Sequence, residues 1–189
     1  MKPGVHYMLA RFWLMLGLKR PAMTSFEDVL RLDPGHAGAA GALGYLRAES
    51  GDSSGAMDLF RAVLRVQPRD AAMLFNLGYL LQKENRHEEA LSVLKESVAI
   101  NPALDRSWFG IGLSCVAMDR RAESIPAFER AAELQPMNPH ALYELGIQHH
   151  ALGQHDQVHK IIFRLSQFDP KVTAQLQRAT GINPGRAAA

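Results

Sequence analysis

Histidine is the residue type in this sequence whose number and spacing could do chemistry near neutral pH. Four histidines fall close together, at His149, His150, His155 and His159. The four-residue step from His155 to His159 places two rings on one face of a helix, as shared zinc ligands require. His149 and His150 precede a turn on different helix faces, and His155 stands at a turn position. We therefore predict no metal site and no cofactor.

Nucleophilic chemistry also lacks a motif here. Cys115 is the single cysteine, which excludes an intrachain disulfide and a zinc site of several thiolates. Its position predicts a small, buried apolar side chain. No segment has the pattern of a strand that a glycine-rich phosphate loop could follow, and no serine or aspartate lies in a nucleophile motif. We predict no catalytic residue and no enzyme.

Composition places the chain among ordinary globular proteins. Of its 189 residues, 47% are hydrophobic and 21% are charged. The 21 basic and 19 acidic residues nearly balance, which argues against a dedicated nucleic-acid binder. The sequence contains no apolar run long enough for an ordinary membrane-spanning helix. We expect a cytoplasmic protein, with membrane-associated and periplasmic locations left open.

A ladder of prolines organises the chain. Prolines recur every 34 residues, at Pro34, Pro68, Pro102, Pro136 and Pro170. A fixed period of this length is typical of stacked helix–turn–helix units. Each proline is predicted to end the second helix of its unit, because it lacks an amide donor and disfavours helical geometry before it.

Small and apolar residues recur at fixed distances before these prolines. One column is glycine in four units and alanine in the first: Ala10, Gly44, Gly78, Gly112 and Gly146. A second column, mostly of small residues, reads Ala22, Ala56, Ala90, Ser124 and Val158. A third column, of aromatic or aliphatic residues, reads Phe26, Phe60, Leu94, Phe128 and Ile162. We interpret the small residues as points of close helix approach and the larger ones as the surrounding core. A turn column reads Gly51, Asn85, Asp119 and Gly153, which suits a left-handed helix end.

In this spacing and these columns the chain resembles the tetratricopeptide repeat family. The resemblance covers residues 3–172 as five units, 3–36, 37–70, 71–104, 105–138 and 139–172. It implies an all-α fold, a right-handed superhelix (α-solenoid) of five stacked 34-residue repeats. Residues 171–180 are predicted to form a C-terminal capping helix with Val172, Leu176 and Ala179 as its apolar positions. Residues 181–189 are predicted to be a flexible tail.

The resemblance also implies that the first helix of each unit lines a concave groove for a peptide or helix of another protein. The candidate groove residues are Tyr45, Phe75, Asn76, Tyr79, Lys83, Arg106, Phe109, Tyr143 and Ile147. Their aromatics either complete the core between neighbouring helices or stay exposed as an apolar strip for a partner. Both interpretations remain open.

Some chaperone-binding members of the family hold a carboxylate in a clamp of charged and amide side chains. Asn76 and Arg106 fall on two clamp columns, but Gly41, Tyr45 and Gly110 occupy others and cannot supply charge. The clamp is incomplete, and we do not predict binding of chaperone tails. The leading hypothesis is a scaffold or adaptor. The alternative is a small chaperone that shields an apolar client segment, and a third is a subunit whose groove is filled by its own assembly.

The N-terminal segment Val5 to Leu18 allows several roles. His6 and Arg11 interrupt its apolar stretch, which argues against a signal peptide. Aligned with the other units it forms a first helix, with Leu9 and Ala10 in the expected columns. That helix is apolar nearly all round, so it serves as a cap, a homo-oligomer contact or a membrane contact.

Overall fold

The computed structural model describes residues 2–182, within which every regular element is an α-helix. The helices are α1 (Pro3–Met15), α2 (Lys19–Leu32), α3 (Ala37–Glu49), α4 (Ser53–Val66), α5 (Ala71–Lys83), α6 (His87–Ile100), α7 (Asp105–Ala117), α8 (Arg121–Leu134), α9 (Pro139–Ala151), α10 (His155–Ser166) and α11 (Pro170–Thr180). The predicted all-α class is confirmed. Within this part of the chain no helix is both long and apolar enough to cross a membrane. The predicted tail beyond residue 182 lies outside the described residues.

The helices divide into two compact units, Met1–Ile100 with α1 to α6 and Asn101–Ala189 with α7 to α11. In both units, consecutive helices pair as hairpins: α1 with α2, α3 with α4 and α5 with α6 in the first, α7 with α8 and α9 with α10 in the second. The helix α11 packs on α9 and α10.

A left-handed residue turns the chain inside every hairpin. The predicted column is confirmed, with φ of +90° at Gly51, +58° at Asn85, +56° at Asp119 and +72° at Gly153. Gly17, with φ of +73°, occupies the same column one period earlier. The turn after α1 therefore has the register of the later turns, and α1 pairs with α2 as a first helix should.

Close crossings of the two helices in a hairpin depend on the glycine column. A Cβ atom added at Gly44 would lie 2.3 Å from Cε1 of Phe60, and one at Gly112 would lie 2.5 Å from Cε1 of Phe128. The ring of the second helix thus occupies the space that a side chain on the first would need. The last hairpin differs, because Gly146 faces Leu176 of α11 at 2.7 Å.

The predicted core columns are buried in both units. The small-residue column and the aromatic-or-aliphatic column are fully or almost fully buried at Ala22, Phe26, Ala56, Phe60, Ala90, Leu94, Ser124, Phe128, Val158 and Ile162. One apolar column has an exception. Leu43, Leu77, Ile111 and Leu145 are buried, whereas the equivalent Leu9 is 36% exposed. Leu43 packs with the α1–α2 hairpin before it, but no hairpin precedes α1 in the described chain.

Pro170 does not end a second helix as predicted. Four of the ladder prolines follow such a helix, but α10 already ends at Ser166 and Pro170 is the first residue of α11. Asp169 caps the new helix, with its Oδ1 accepting from the Val172 amide at 2.9 Å. Proline is well tolerated at this first position, where its missing donor would be unpaired anyway.

The capping helix buries two of its three predicted apolar positions. Leu176 is buried and the half-buried Val172 packs against the same core, but Ala179 is exposed and the other buried residues are Thr173 and Thr180. The buried residues are spaced three and four apart and form one stripe toward α9 and α10, which leaves Ala179 on the other side.

Ion pairs join the first two hairpins of the first unit. Arg47 on α3 contacts Glu27 on α2 at 2.9 Å, and Lys19 at the start of α2 contacts Glu49 at the end of α3 at 2.6 Å. The Gln67 amide adds a hydrogen bond to the Gly35 carbonyl at 2.8 Å. These contacts hold the α3–α4 hairpin against the α1–α2 hairpin.

Two glycines on α3 provide a matched stability test. We expect Gly44→Ala to lower the free energy of unfolding by about 1–3 kcal/mol, because the buried Phe60 ring cannot move aside. Gly41→Ala should raise it by up to about 1 kcal/mol, since alanine is the better helix former. A Cβ at Gly41 would make only ordinary contacts, 3.5 Å from Met73 Cε. Urea midpoints of the two variants test this, and equal midpoints would contradict the crossing model.

Candidate functional site

Predicted groove residues of the first unit meet on the exposed sides of α3 and α5. Tyr45 on α3 is 67% exposed and Tyr79 on α5 is 48% exposed. Phe75 is half-buried, and its ring stacks on that of Tyr79 with centroids 6.5 Å apart. The Lys83 ammonium lies 5.8 Å from the centroid of the Tyr79 ring, within cation–π range. The side chains Phe75, Tyr79 and Lys83 thus form a continuous stripe along α5.

A cleft of about 70 Å³ opens between α3 and α5. Its lining residues are mostly apolar or glycine, and they are Gly41, Gly44, Tyr45, Ala48, Phe60, Asn76, Tyr79 and Leu80. One water needs only roughly 10–15 Å³, so the cleft has room for several heavy atoms. It suits the end of an aliphatic side chain, and its lining includes Asn76, Tyr45 and Tyr79, whose side chains can form hydrogen bonds.

Glycines on α3 create this cleft. Gly41 leaves α3 without a side chain at a point that faces α5, and the Phe60 ring of α4, packed against Gly44, supplies an apolar floor. The Asn76 amide nitrogen would lie 3.7 Å from a Cβ at Gly41, so Asn76 sits across the opening. Sequence reasoning treated Gly41 only as a failed clamp position. Tyr45 and Tyr79 occupy the same column of successive units. A glycine at position 41, one helical turn before Tyr45, was the signal for a cleft.

Groove candidates of the second unit are placed differently. Phe109, Tyr143 and Ile147 are half-buried and pack against the core of that unit. The Phe109 ring centroid lies 5.6 Å from that of the buried Phe128. Arg106 on α7 is exposed. Much of this apolar surface therefore serves the core, and a binding role for these four residues stays a prediction.

A second, wider cleft of about 700 Å³ lies between α9 and α11 in the second unit. It is lined by His140, Tyr143, Glu144, Val172, Gln175, Arg178 and Ala179. Glu144 is half-buried there, and this burial raises the pKa of its carboxyl, while the nearby His140 lowers it by a smaller amount. Folding therefore stabilises the protonated form of Glu144 relative to the ionised form.

The histidine-rich stretch does not assemble a metal site in the described structure. The buried His149 has its Nδ1 2.5 Å from Oε1 of Gln154. The rings of His150 and His155 approach with centroids 5.6 Å apart, and His159 is exposed. Among residues 2–182, no three His, Cys, Asp or Glu side chains are grouped to hold a metal ion. Cys115 is buried, as predicted from its helix position.

Comparisons with known proteins agree with the helical-hairpin architecture described above. Residues 20–65, 42–105 and 109–157 match the sequence model of the tetratricopeptide repeat. No curated protein sequence matches the chain.

Solved structures similar to this chain are repeat proteins of the same kind. PilF of Pseudomonas aeruginosa is 21% identical, with a TM-score of 0.80 over 95% of this chain and 84% of its own. MamA of Desulfovibrio magneticus RS-1 is 20% identical, with a TM-score of 0.73 over 95% of this chain and 97% of its own. YrrB, described as a tetratricopeptide repeat protein with an unusual peptide-binding site, is 18% identical, with a TM-score of 0.73 over 92% and 90%. At these identities the likeness concerns the fold.

The raised pKa of Glu144 predicts the pH dependence of stability. The folded state binds this proton more tightly than the unfolded chain does, so Glu144 opposes folding above its folded pKa and ceases to do so in acid. We expect Glu144→Gln to raise the melting temperature at pH 7. The gain should vanish below the ordinary carboxyl pKa of roughly 4. Thermal melts across this range test the prediction, and a gain that persists in acid would show that the effect is not ionisation.

Proposed function

The chain belongs to the tetratricopeptide repeat family, and we propose that it is an adaptor that holds a segment of another protein against α3 and α5. Proteins of this fold serve as scaffolds for protein interactions. Within that role, we assign the first unit's cleft as the anchor point. One aliphatic side chain of the partner enters it, and the partner's backbone lies across the two exposed tyrosines.

The observation that carries this proposal is the pair of exposed tyrosines that flank an apolar cleft. The rings of Tyr45 and Tyr79 are largely exposed to solvent and lie outside the buried core. Tyrosine is enriched at binding hot spots because its rigid ring covers much apolar area at little cost in conformational entropy. A concave apolar cleft with a few polar groups at its edge is the usual form of a binding site.

Polar groups around the cleft suit a peptide backbone. Asn76 offers both a donor and an acceptor, which matches the amide and carbonyl of an extended chain. Lys83 at the end of the α5 stripe adds a positive charge beside Tyr79. We expect a partner segment with one aliphatic anchor residue and an acidic group nearby. YrrB, a protein of this fold, is described as having a peptide-binding site, which supports a peptide as the partner.

The size of the cleft favours the adaptor over the chaperone alternative. A space of about 70 Å³ takes the end of one side chain and leaves most of a long apolar segment uncovered. A chaperone would keep an otherwise insoluble client in solution during co-expression. An adaptor would bind a partner that is already soluble on its own.

Filling the cleft tests the proposal without weakening the fold. We expect Gly41→Leu to abolish peptide binding, because its side chain would occupy the space assigned to the anchor residue. The variant should stay folded, since leucine is a far better helix former than glycine. Peptides would be selected from a random phage-displayed library against the wild-type chain, and their affinities for both chains would be measured by calorimetry.

A second variant and a surface control complete the test. Tyr45→Ala with Tyr79→Ala should weaken the selected peptides by about tenfold or more, as expected for interface aromatics. Phe163→Ala removes an equally exposed ring from α10 and should change nothing. Selected peptides that bind the Gly41→Leu chain as tightly as the wild type would refute the cleft assignment.

A further inference from the structure

The outer face of α1 is an uncovered apolar stripe. Its side chains follow helical spacing at Val5, Met8, Leu9, Phe12, Met15 and Leu16, and all six are exposed. Met8 and Met15 are 74% and 75% exposed. This set, called the α1 stripe below, covers one continuous side of the helix because its members recur at three- and four-residue steps.

The opposite side of α1 is fixed to the rest of the first unit. Ala10 is fully buried, and the half-buried Tyr7 ring lies 5.9 Å from the ring of Phe26 on α2. Trp13 and Leu14 pack against the same buried cluster. Because the opposite side of α1 packs on the first unit, the α1 stripe faces away from that unit. A stripe of this size is larger than the scattered surface residues that need no explanation.

The residues with fixed charge in α1 and in the sequence next to it are basic. Residues 1–26 include Lys2, Arg11, Lys19 and Arg20 but no aspartate or glutamate. On a helical projection, Arg11 lies beside Met8 and Met15 at one margin of the stripe. Lys19 is paired with Glu49, whereas Lys2, Arg11 and Arg20 form no ion pair with any residue from 2 to 182. Asp28 of α2 lies 3.6 Å from His6 of α1 and is paired with Arg31. Within α1 itself no side chain is acidic, and Arg11 is basic.

We propose that the α1 stripe docks on the surface of an anionic lipid bilayer. An apolar helix face with basic residues at its margins is the pattern of helices that lie in the membrane interface. Basic side chains next to the membrane are attracted by the negative surface potential of acidic lipids. A helix of 13 residues is about 20 Å long, which suits lying along the interface.

Charge favours this occupant over a second copy of the chain. Two α1 helices packed stripe to stripe would bring Arg11 and its symmetry mate into one interface without an acidic residue of α1 to balance them. Like charges that meet across an interface oppose association. An anionic surface satisfies the apolar stripe and its basic margin together. The proposal does not depend on the cleft between α3 and α5.

Vesicle sedimentation of the full chain tests this inference. We expect binding to vesicles of phosphatidylcholine with a minority of phosphatidylglycerol, weak binding to phosphatidylcholine alone, and a decrease in high salt. Met8→Gln with Met15→Gln should reduce the partition coefficient by about tenfold or more through lost apolar burial. Arg11→Gln should reduce it about five-fold, the effect expected for one basic residue. Both methionines are largely exposed, so the double variant should fold normally.

Controls separate the outcomes. Met137→Gln changes a methionine that is 69% exposed in the second unit and should bind vesicles as the wild type does. Circular dichroism and peptide binding at the α3–α5 cleft should be unchanged in every α1 variant. Failure to bind acidic vesicles, or equal binding by the Met8→Gln, Met15→Gln chain, would overturn the proposal. So would a wild-type dimer in analytical ultracentrifugation that this double variant converts to a monomer, because the stripe would then be covered by a second copy.

Discussion

The crossing of a ring over a glycine within a hairpin is the contact on which much of this structure depends. At Gly44 and Gly112 the second helix places a phenylalanine where a Cβ would otherwise stand. The two helix axes can then come close enough to bury the alanine column beside them. In the α3–α4 hairpin the same crossing brings the Phe60 ring close to the surface of α3, where it becomes the floor of the candidate cleft. The fold and the candidate site thus share one contact.

This sharing has a cost in local stability. The helix α3 begins with six small residues in succession, 37–42, which include Gly38 and Gly41, and it has a further glycine at Gly44. Glycine is a poor helix former. The stability of α3 must therefore come from tertiary packing rather than from its own sequence. Leu43 and Leu46 of α3 pack in one buried cluster with α1 and α2, and the contacts of Arg47 with Glu27 and of Lys19 with Glu49 orient the C-terminal part of α3 on α2. A helix stabilised by such packing can keep a glycine at position 41, and the cleft requires the absence of a side chain there.

Sequence alone was sufficient for the parts of the fold that repeat. The proline period fixed the register, and from the register followed the buried Phe26 and Phe128 and the left-handed turns at Asn85 and Asp119, because these contacts lie within one hairpin. Exposure could not be predicted in this way. Whether Phe109 is buried or exposed depends on the volumes of side chains from other helices. The residue types in one repeat column do not give those volumes.

The structure differs from the prediction at the end of the repeat array, where the last hairpin contacts α11. Pro170 begins a helix because Asp169 caps it, and α11 replaces the second-helix partner that Gly146 would otherwise have. The cleft at Gly41 was missed for a related reason. The sequence indicated only that Gly41 cannot supply charge at a clamp position, whereas the space that it leaves near Tyr45 and Tyr79 forms part of the cleft.

The ion pairs between α2 and α3 have a further consequence for folding fidelity. Hairpins built on one pattern present similar apolar faces, so a chain of them risks docking the wrong pair during folding. The position of Arg47 holds Leu81, Cys115 and His149 in the later hairpins. The position of Glu27 holds Lys95 on α6, so Arg47 would meet a like charge if α3 docked on α6 instead of α2, whereas α8 repeats the acidic residue as Glu129. Exposed pairs of this kind add little to stability, but they disfavour docking of α3 on α6, the equivalent helix of the third hairpin.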